Sequence, residues 1–245
     1  MKRNFWVLVL LMAALGLAPP AWADDSFYVI AGGGVGTPIT SAPYNITQPG
    51  FYYLKGNLNY SGSNYAIQVN TGDVTLDLMG FSLTGPSAAS GVGIFINYCQ
   101  NVEVRNGHVK QFNKGLSDAI PDQFHTAGLN HRIANLKVSG CGTGISCCAF
   151  GTVITNCQAA FNSTGIRCDI SAFIIDKNTA FQNTTSGFDI GGTGGVVTNN
   201  AAYLNGTGFK FAASTGLLVD RNASFGNNTA NWSGLDGCTK GLNTP

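Results

Sequence analysis

Apolar and polar positions recur at a fixed spacing along most of the chain. Four segments superpose, Ile133 to Gly144, Ile154 to Gly165, Ile175 to Gly187 and Val197 to Gly208, and a fifth begins at Val219. Each runs from an apolar residue through polar, Asn-rich positions and a small residue to a polar turn and a glycine. The closing glycines Gly144, Gly165, Gly187 and Gly208 are 21, 22 and 21 residues apart, and Gly93 and Gly115 extend the series upstream, 22 apart. Self-similarity at such a period marks a stacked repeat.

Directly after each glycine stands Ile94, Leu116, Ile145, Ile166, Phe188 or Phe209, and Ile67 holds the same place in the first coil. Two residues later come Val69, Ile96, Cys147, Cys168, Ile190 and Phe211. Side chains alternate along a strand, so both columns face inward. The residues between them, Gln68, Phe95, Ser117, Ser146, Arg167, Asp189 and Lys210, then face out. A period near 22 is too short for a helix pair and fits three short strands joined by turns. The prediction is an all-β, single-stranded parallel β-helix (a solenoid) of about seven coils. Asn178, Asn200 and Asn222 are 22 apart, as are Asn183, Asn205 and Asn227, which predicts amide ladders in turns, where Asn tolerates left-handed backbone. Ala159, Ala180 and Ala202 fill another interior column, and Phe181, Tyr203 and Phe225 read as an aromatic stack. The expected organisation is residues 24–60 as N-terminal cap, 61–228 as β-helix and 229–245 as C-terminal cap, because solenoid ends must be covered.

Three stretches resemble pectate-lyase-like proteins with parallel β-helix repeats: Asn101 to Gly107, Val74 to Phe81 and Ile46 to Leu54. The resemblance spans roughly residues 40–230. It implies a right-handed helix in an exported bacterial protein, and it is specific for fold and weak for function, since that superfamily includes lyases, hydrolases, epimerases, tailspikes and adhesins. The Asn-Thr-Asp and Asp-Asp motifs of polygalacturonases and the Asp-Pro-His-Glu signature of β-helical epimerases are absent. A calcium-dependent lyase site would need several carboxylates on neighbouring coils. Asp169 and Asp189 are the near pair, with Arg167 and Lys210 beside them.

Charge and composition narrow the setting. Lys2 and Arg3 precede an apolar run from Phe5 to Ala18, too short to span a bilayer, and Ala21-Trp22-Ala23 reads as a cleavage site. Residues 1–23 are therefore expected to be a signal peptide, leaving a mature chain without a transmembrane segment, periplasmic or extracellular. Of 13 basic and 12 acidic side chains, Lys2 and Arg3 leave with the signal, so 11 face 12 and the mature charge is about −1. Such a balance supplies no field to attract nucleic acid or an anionic membrane. All seven cysteines lie in the mature part, no Cys-x-x-Cys pair occurs, and no metal or cofactor is expected. Cys147 and Cys168 share an inward column, at a spacing that suits either a disulfide or two stacked thiols.

The longest loop runs from Ser117 to His131 and carries Asp118, Asp122 and His125. It reads either as a binding or catalytic lip or as a solvated cap over the side of the helix. The outward row beside it reads either as a surface ion-pair ladder or as a sugar-binding strip. The candidate substrate-binding set is Gln68, Phe95, Asp118, Asp122, His125, Ser146, Arg167, Asp189 and Lys210, with a polysaccharide or cell-surface glycan as the partner. Two function classes stay open: a non-catalytic glycan-binding solenoid, and a polysaccharide-active enzyme whose catalytic residues carry no recognisable motif.

Overall fold

The computed structural model describes residues 36–118 and 128–244. The signal-peptide expectation for residues 1–23, and Asp122 and His125 of the candidate set, lie outside the described residues.

Short strands rich in Val, Ile and Phe stack in parallel from coil to coil, and register fixes which side chains share a column. One sheet is nine strands deep: Tyr44–Ile46, Tyr65–Val69, Val92–Ile96, Lys114–Asp118, Thr143–Cys147, Thr164–Asp169, Ser186–Thr193, Thr207–Thr215 and Ala230–Ser233. A sixteen-stranded sheet supplies the other two sides of the coil. Its long strands Val102–Lys110 and Arg132–Ser139 bend where Asn106 and Asn135 adopt left-handed backbone, with φ of 58° and 55°. Among the described residues the single helical element is a short 3-10 turn, Leu235–Gly237.

The first inward column runs Ile67, Ile94, Leu116, Ile145, Ile166, Phe188 and Phe209 in unbroken register. All seven are fully buried. The register continues one step at each end, Tyr44 under Ile67 and Trp232 over Phe209. Residues of the expected cap regions thus take part in the same sheet, and this accounts for nine strands where glycine spacing counted about seven coils.

The recurring glycine has a steric cause. A Cβ on Gly93, Gly115, Gly144 or Gly165 would stand 2.5, 2.6, 2.6 or 2.5 Å from the carbonyl oxygen of the glycine one coil on. Close backbone approach, not unusual φ, favours glycine at these four positions; the first coil carries Ala66 in the same column. The same packing buries the glycine and its successor together, so strict alternation fails at this point; the residue before the glycine is partly exposed at Val92, Lys114, Thr143, Thr164 and Thr207, whereas Ser186 is buried.

Two amide ladders run through the turns. Asn162 donates to Asn183 at 3.1 Å, Asn183 to Asn205 at 2.8 Å and Asn205 to Asn227 at 3.0 Å. Asn178 donates to Asn200 at 3.0 Å and Asn200 to Asn222 at 2.9 Å. Each Oδ1 also accepts the backbone N–H of the Asn below it, as Asn205 does from Asn183 at 3.0 Å. Left-handed backbone was expected at these asparagines, but their predecessors adopt it: Phe161, Lys177, Gln182, Asn199, Leu204 and Arg221, with φ between 52° and 57°. Ala159, Ala180 and Ala202 form the expected buried column. Phe181, Tyr203 and Phe225 stack at 5.3 and 5.4 Å. All seven cysteines are free thiols. Cys147 and Cys168 are register partners in the core, where burial pushes both thiols up.

Candidate functional site

The outer face of the nine-stranded sheet carries the predicted row. Gln68 lies beside Phe95, Phe95 beside Ser117, Ser117 beside Ser146, Ser146 beside Arg167, Arg167 beside Asp189 and Asp189 beside Lys210. Asn45 adds a member before Gln68. The row divides at its middle, because Ser117 and Ser146 are only 2% and 7% exposed.

Below that saddle the surface is hollow. A groove of about 620 Å³ is lined by Tyr65, Gln68, Val92, Phe95, Asn97, Tyr98, Asn113, Lys114, Ser117 and Asp118. It adjoins a second groove of about 380 Å³ through Tyr65 and Gln68, where Tyr44, Asn45, Tyr60 and Asn64 continue the wall. A third, of about 310 Å³, adjoins it through Asn97 and Tyr98. The Tyr65 and Phe95 rings stack at 4.3 Å, only 8° from parallel. One coil beyond Phe95 the aligned residue is Ser117, so the stack of rings ends there at the groove. Gln68 donates to Asn70 Oδ1 at 3.0 Å, Asn97 donates to the same oxygen at 2.8 Å, and Asn70 donates to Asn45. A side-chain amide has two donor hydrogens and two acceptor lone pairs, so a ladder with one bond per step retains hydrogen-bonding capacity toward the groove.

Above the saddle the charges satisfy one another. Arg167 Nε meets Asp169 Oδ2 at 2.5 Å, and Lys210 Nζ meets Asp189 Oδ1 at 3.4 Å. The hydrogen bond that Arg167 donates to Asp169 holds its guanidinium yet more firmly charged. The three grooves do not reach Arg167, Asp189 or Lys210.

Asp118 occupies a place that the alternation argument passed over. It is the third-coil member of the second inward column, paired with Ile96 and 3% exposed. The pairing with the next coil's strand ends at Ser117 and Ser146. The Asp118 carboxylate takes over as acceptor, bonding the N–H groups of Cys148 at 2.6 Å and Ala149 at 3.0 Å. Burial outweighs those bonds and raises its carboxyl to about 7. His131, at the far end of the same loop, is 1% exposed and accepts the Val102 N–H at 3.4 Å, and burial lowers it to about 4. Among the described residues no cluster of three or more His, Cys, Asp or Glu is arranged to hold a metal.

Tyr65, Asn70, Asn97 and Tyr98 escaped the sequence reading. Tyr65 lies two residues before Ile67, and strict alternation turns it inward. The paired burial of Ala66 and Ile67, at the glycine column, turns it out.

The chain matches no family model and no curated protein. Solved structures do match. The A-module of the mannuronan C-5 epimerase AlgE4 of Azotobacter vinelandii superposes with a TM-score of 0.64 at 13% identity, over 85% of this chain and 65% of that one. The chain is a right-handed parallel β-helix. Two further β-helix matches are the Dettilon tailspike protein, with a TM-score of 0.57 at 13% identity over 85% of this chain and 54% of that one, and an alginate lyase from Paenibacillus sp. str. FPU-7, with 0.55 at 14% identity over 84% and 90%. This β-helix thus spans less than two thirds of the length of the first two. No helix among its described residues is long and apolar enough to cross a membrane.

Proposed function

We propose that this protein is an exported, non-catalytic β-helix that binds a polysaccharide along the outer face of its nine-stranded sheet, with its centre at Phe95 and Gln68. The observation that carries this reading is the groove of about 620 Å³ where the Tyr65–Phe95 stack ends against Ser117, edged by amides. Sugar rings present apolar C–H faces to aromatic rings and hydroxyls to amides, so this wall suits them. The site comprises Gln68, Phe95, Tyr65, Asn97 and Tyr98, with the Ser146–Lys210 half of the row as a flank that closes on itself. Solved relatives by fold include a mannuronan epimerase and an alginate lyase, both named for polysaccharide substrates, which agrees with a glycan partner.

The test is affinity electrophoresis of the mature protein through gels containing polysaccharides. Retardation should occur, and Phe95→Ala should abolish it with the melting temperature unchanged. Equal retardation of the variant moves the site elsewhere. Export is checked by mass spectrometry of protein recovered outside the cytoplasm, which should begin at Asp24; an intact Met1 there refutes it.

A second reading, a polysaccharide-active enzyme, is favoured by one feature, the Asp118 carboxyl held near neutrality on the groove wall. Both its oxygens already serve backbone N–H groups, which weighs against a role in proton transfer. New unsaturated or reducing ends in a polysaccharide incubated with the protein, absent with Asp118→Asn, would establish the enzyme.

A further inference from the structure

We infer that the polymer held in this groove is neutral, a hydroxyl-rich polysaccharide and not a polyuronate. This rests on the glycan-binding reading above and specifies its substrate class. A polyuronate carries a carboxylate on every sugar. A face that binds it must supply cations at a comparable repeat, because each desolvated carboxylate needs a charged or multiply donating partner. Among the described residues, the walls of the three adjoining grooves carry one cation, Lys114, and one carboxylate, Asp118. The remaining polar wall consists of uncharged side chains, chiefly carboxamides, phenols and hydroxyls, which pair with hydroxyl groups as donors and acceptors alike.

The rest of the sheet supplies no replacement. Arg167 and Lys210, the other cations on its outer face, are neutralised by Asp169 and Asp189. Residues 119–127 of the sequence include Asp122 and contain no Lys or Arg. The ring stack completes the argument, since an aromatic face rewards the apolar side of a sugar ring without reference to charge.

The experiment is affinity electrophoresis of the mature protein against mixed-linkage β-glucan, xylan and galactomannan, and against alginate and polygalacturonate, each at low and high sodium chloride. The expected result is retardation by at least one neutral polymer and by neither polyuronate. Affinity should change less than about twofold with salt, because uncharged contacts are not screened. It should fall at least tenfold in Phe95→Ala and in Gln68→Ala. Retardation by a polyuronate alone, weakened by salt and by Lys114→Ala, would overturn the neutral class while leaving glycan binding intact. Retardation by none of the five would overturn the binding reading as well.

Discussion

The two halves of one outward row have opposite characters on the same backbone. From Asn45 to Phe95 the row borders grooves, carries no charge and exposes an aromatic stack with an amide ladder. From Arg167 to Lys210 it is charged, and each cation lies against an acid of its own sheet. Beneath both halves the first inward column, from Ile67 to Phe209, stays apolar and fully buried. A solenoid therefore separates the tasks cleanly: interior columns set stability coil by coil, and outer rows are free to differ. Stacked charges of opposite sign seal a surface, whereas amides and rings with a small neighbour leave it open.

The sharpest way to probe this contrast compares two amide ladders, one buried in the upper coils and one bordering the groove. Asn183 bonds the Asn162 backbone N–H, the Ala159 carbonyl and Asn205, all in the buried interior. Asn183→Ala leaves several buried groups unpaired and should cost on the order of 3 kcal/mol or more, seen as a fall in denaturant midpoint. Asn97 is half-buried beside the groove. Asn97→Ala should cost less than about 1 kcal/mol yet weaken polysaccharide retention. Equal losses of stability would erase the distinction between the ladders.

Next in size is the pH response of Asp118, at the saddle between the halves. Its folded carboxyl is raised from 3.8 to about 7, so between those values the folded state binds more protons than the unfolded one. Stability from this group is fullest at low pH and is lost as pH rises through 7. Between about pH 5 and 8 the loss should be about 2–3 kcal/mol, or roughly 5–10 °C in Tm. Asp118→Asn should flatten that slope; an undiminished slope in the variant assigns it to another group.

The smallest stability effect belongs to the ion pairs. The basic partners are about half exposed, so Arg167→Ala and Lys210→Ala should each cost under about 1 kcal/mol. A larger loss would make the upper row a structural brace.

Much of this architecture was legible beforehand. The glycine column, both inward columns and the asparagine ladders were all visible as residue identities at a period near 22, because stacking forces chemically similar residues into register. What escaped lacks a compositional mark. Lys177, Leu204 and Phe161 adopt left-handed backbone although neither glycine nor asparagine stands there. Asp118 enters an apolar column because its carboxylate accepts from backbone N–H donors 30 and 31 residues away, beyond any local pattern. The extra strands Tyr44–Ile46 and Ala230–Ser233 follow no glycine of the series. For the candidate site, the row was readable and the groove was not, since the groove depends on the break in alternation that turns Tyr65 outward.

The most direct test of the central claim is a side-by-side polysaccharide titration of the unaltered protein, Phe95→Ala and the double variant Arg167→Ala with Lys210→Ala. The open lower half and self-sealed upper half predict at least tenfold weaker binding for Phe95→Ala and unchanged affinity for the double variant. Unchanged binding in Phe95→Ala with a loss in the double variant would contradict the account and place the ligand on the charged half.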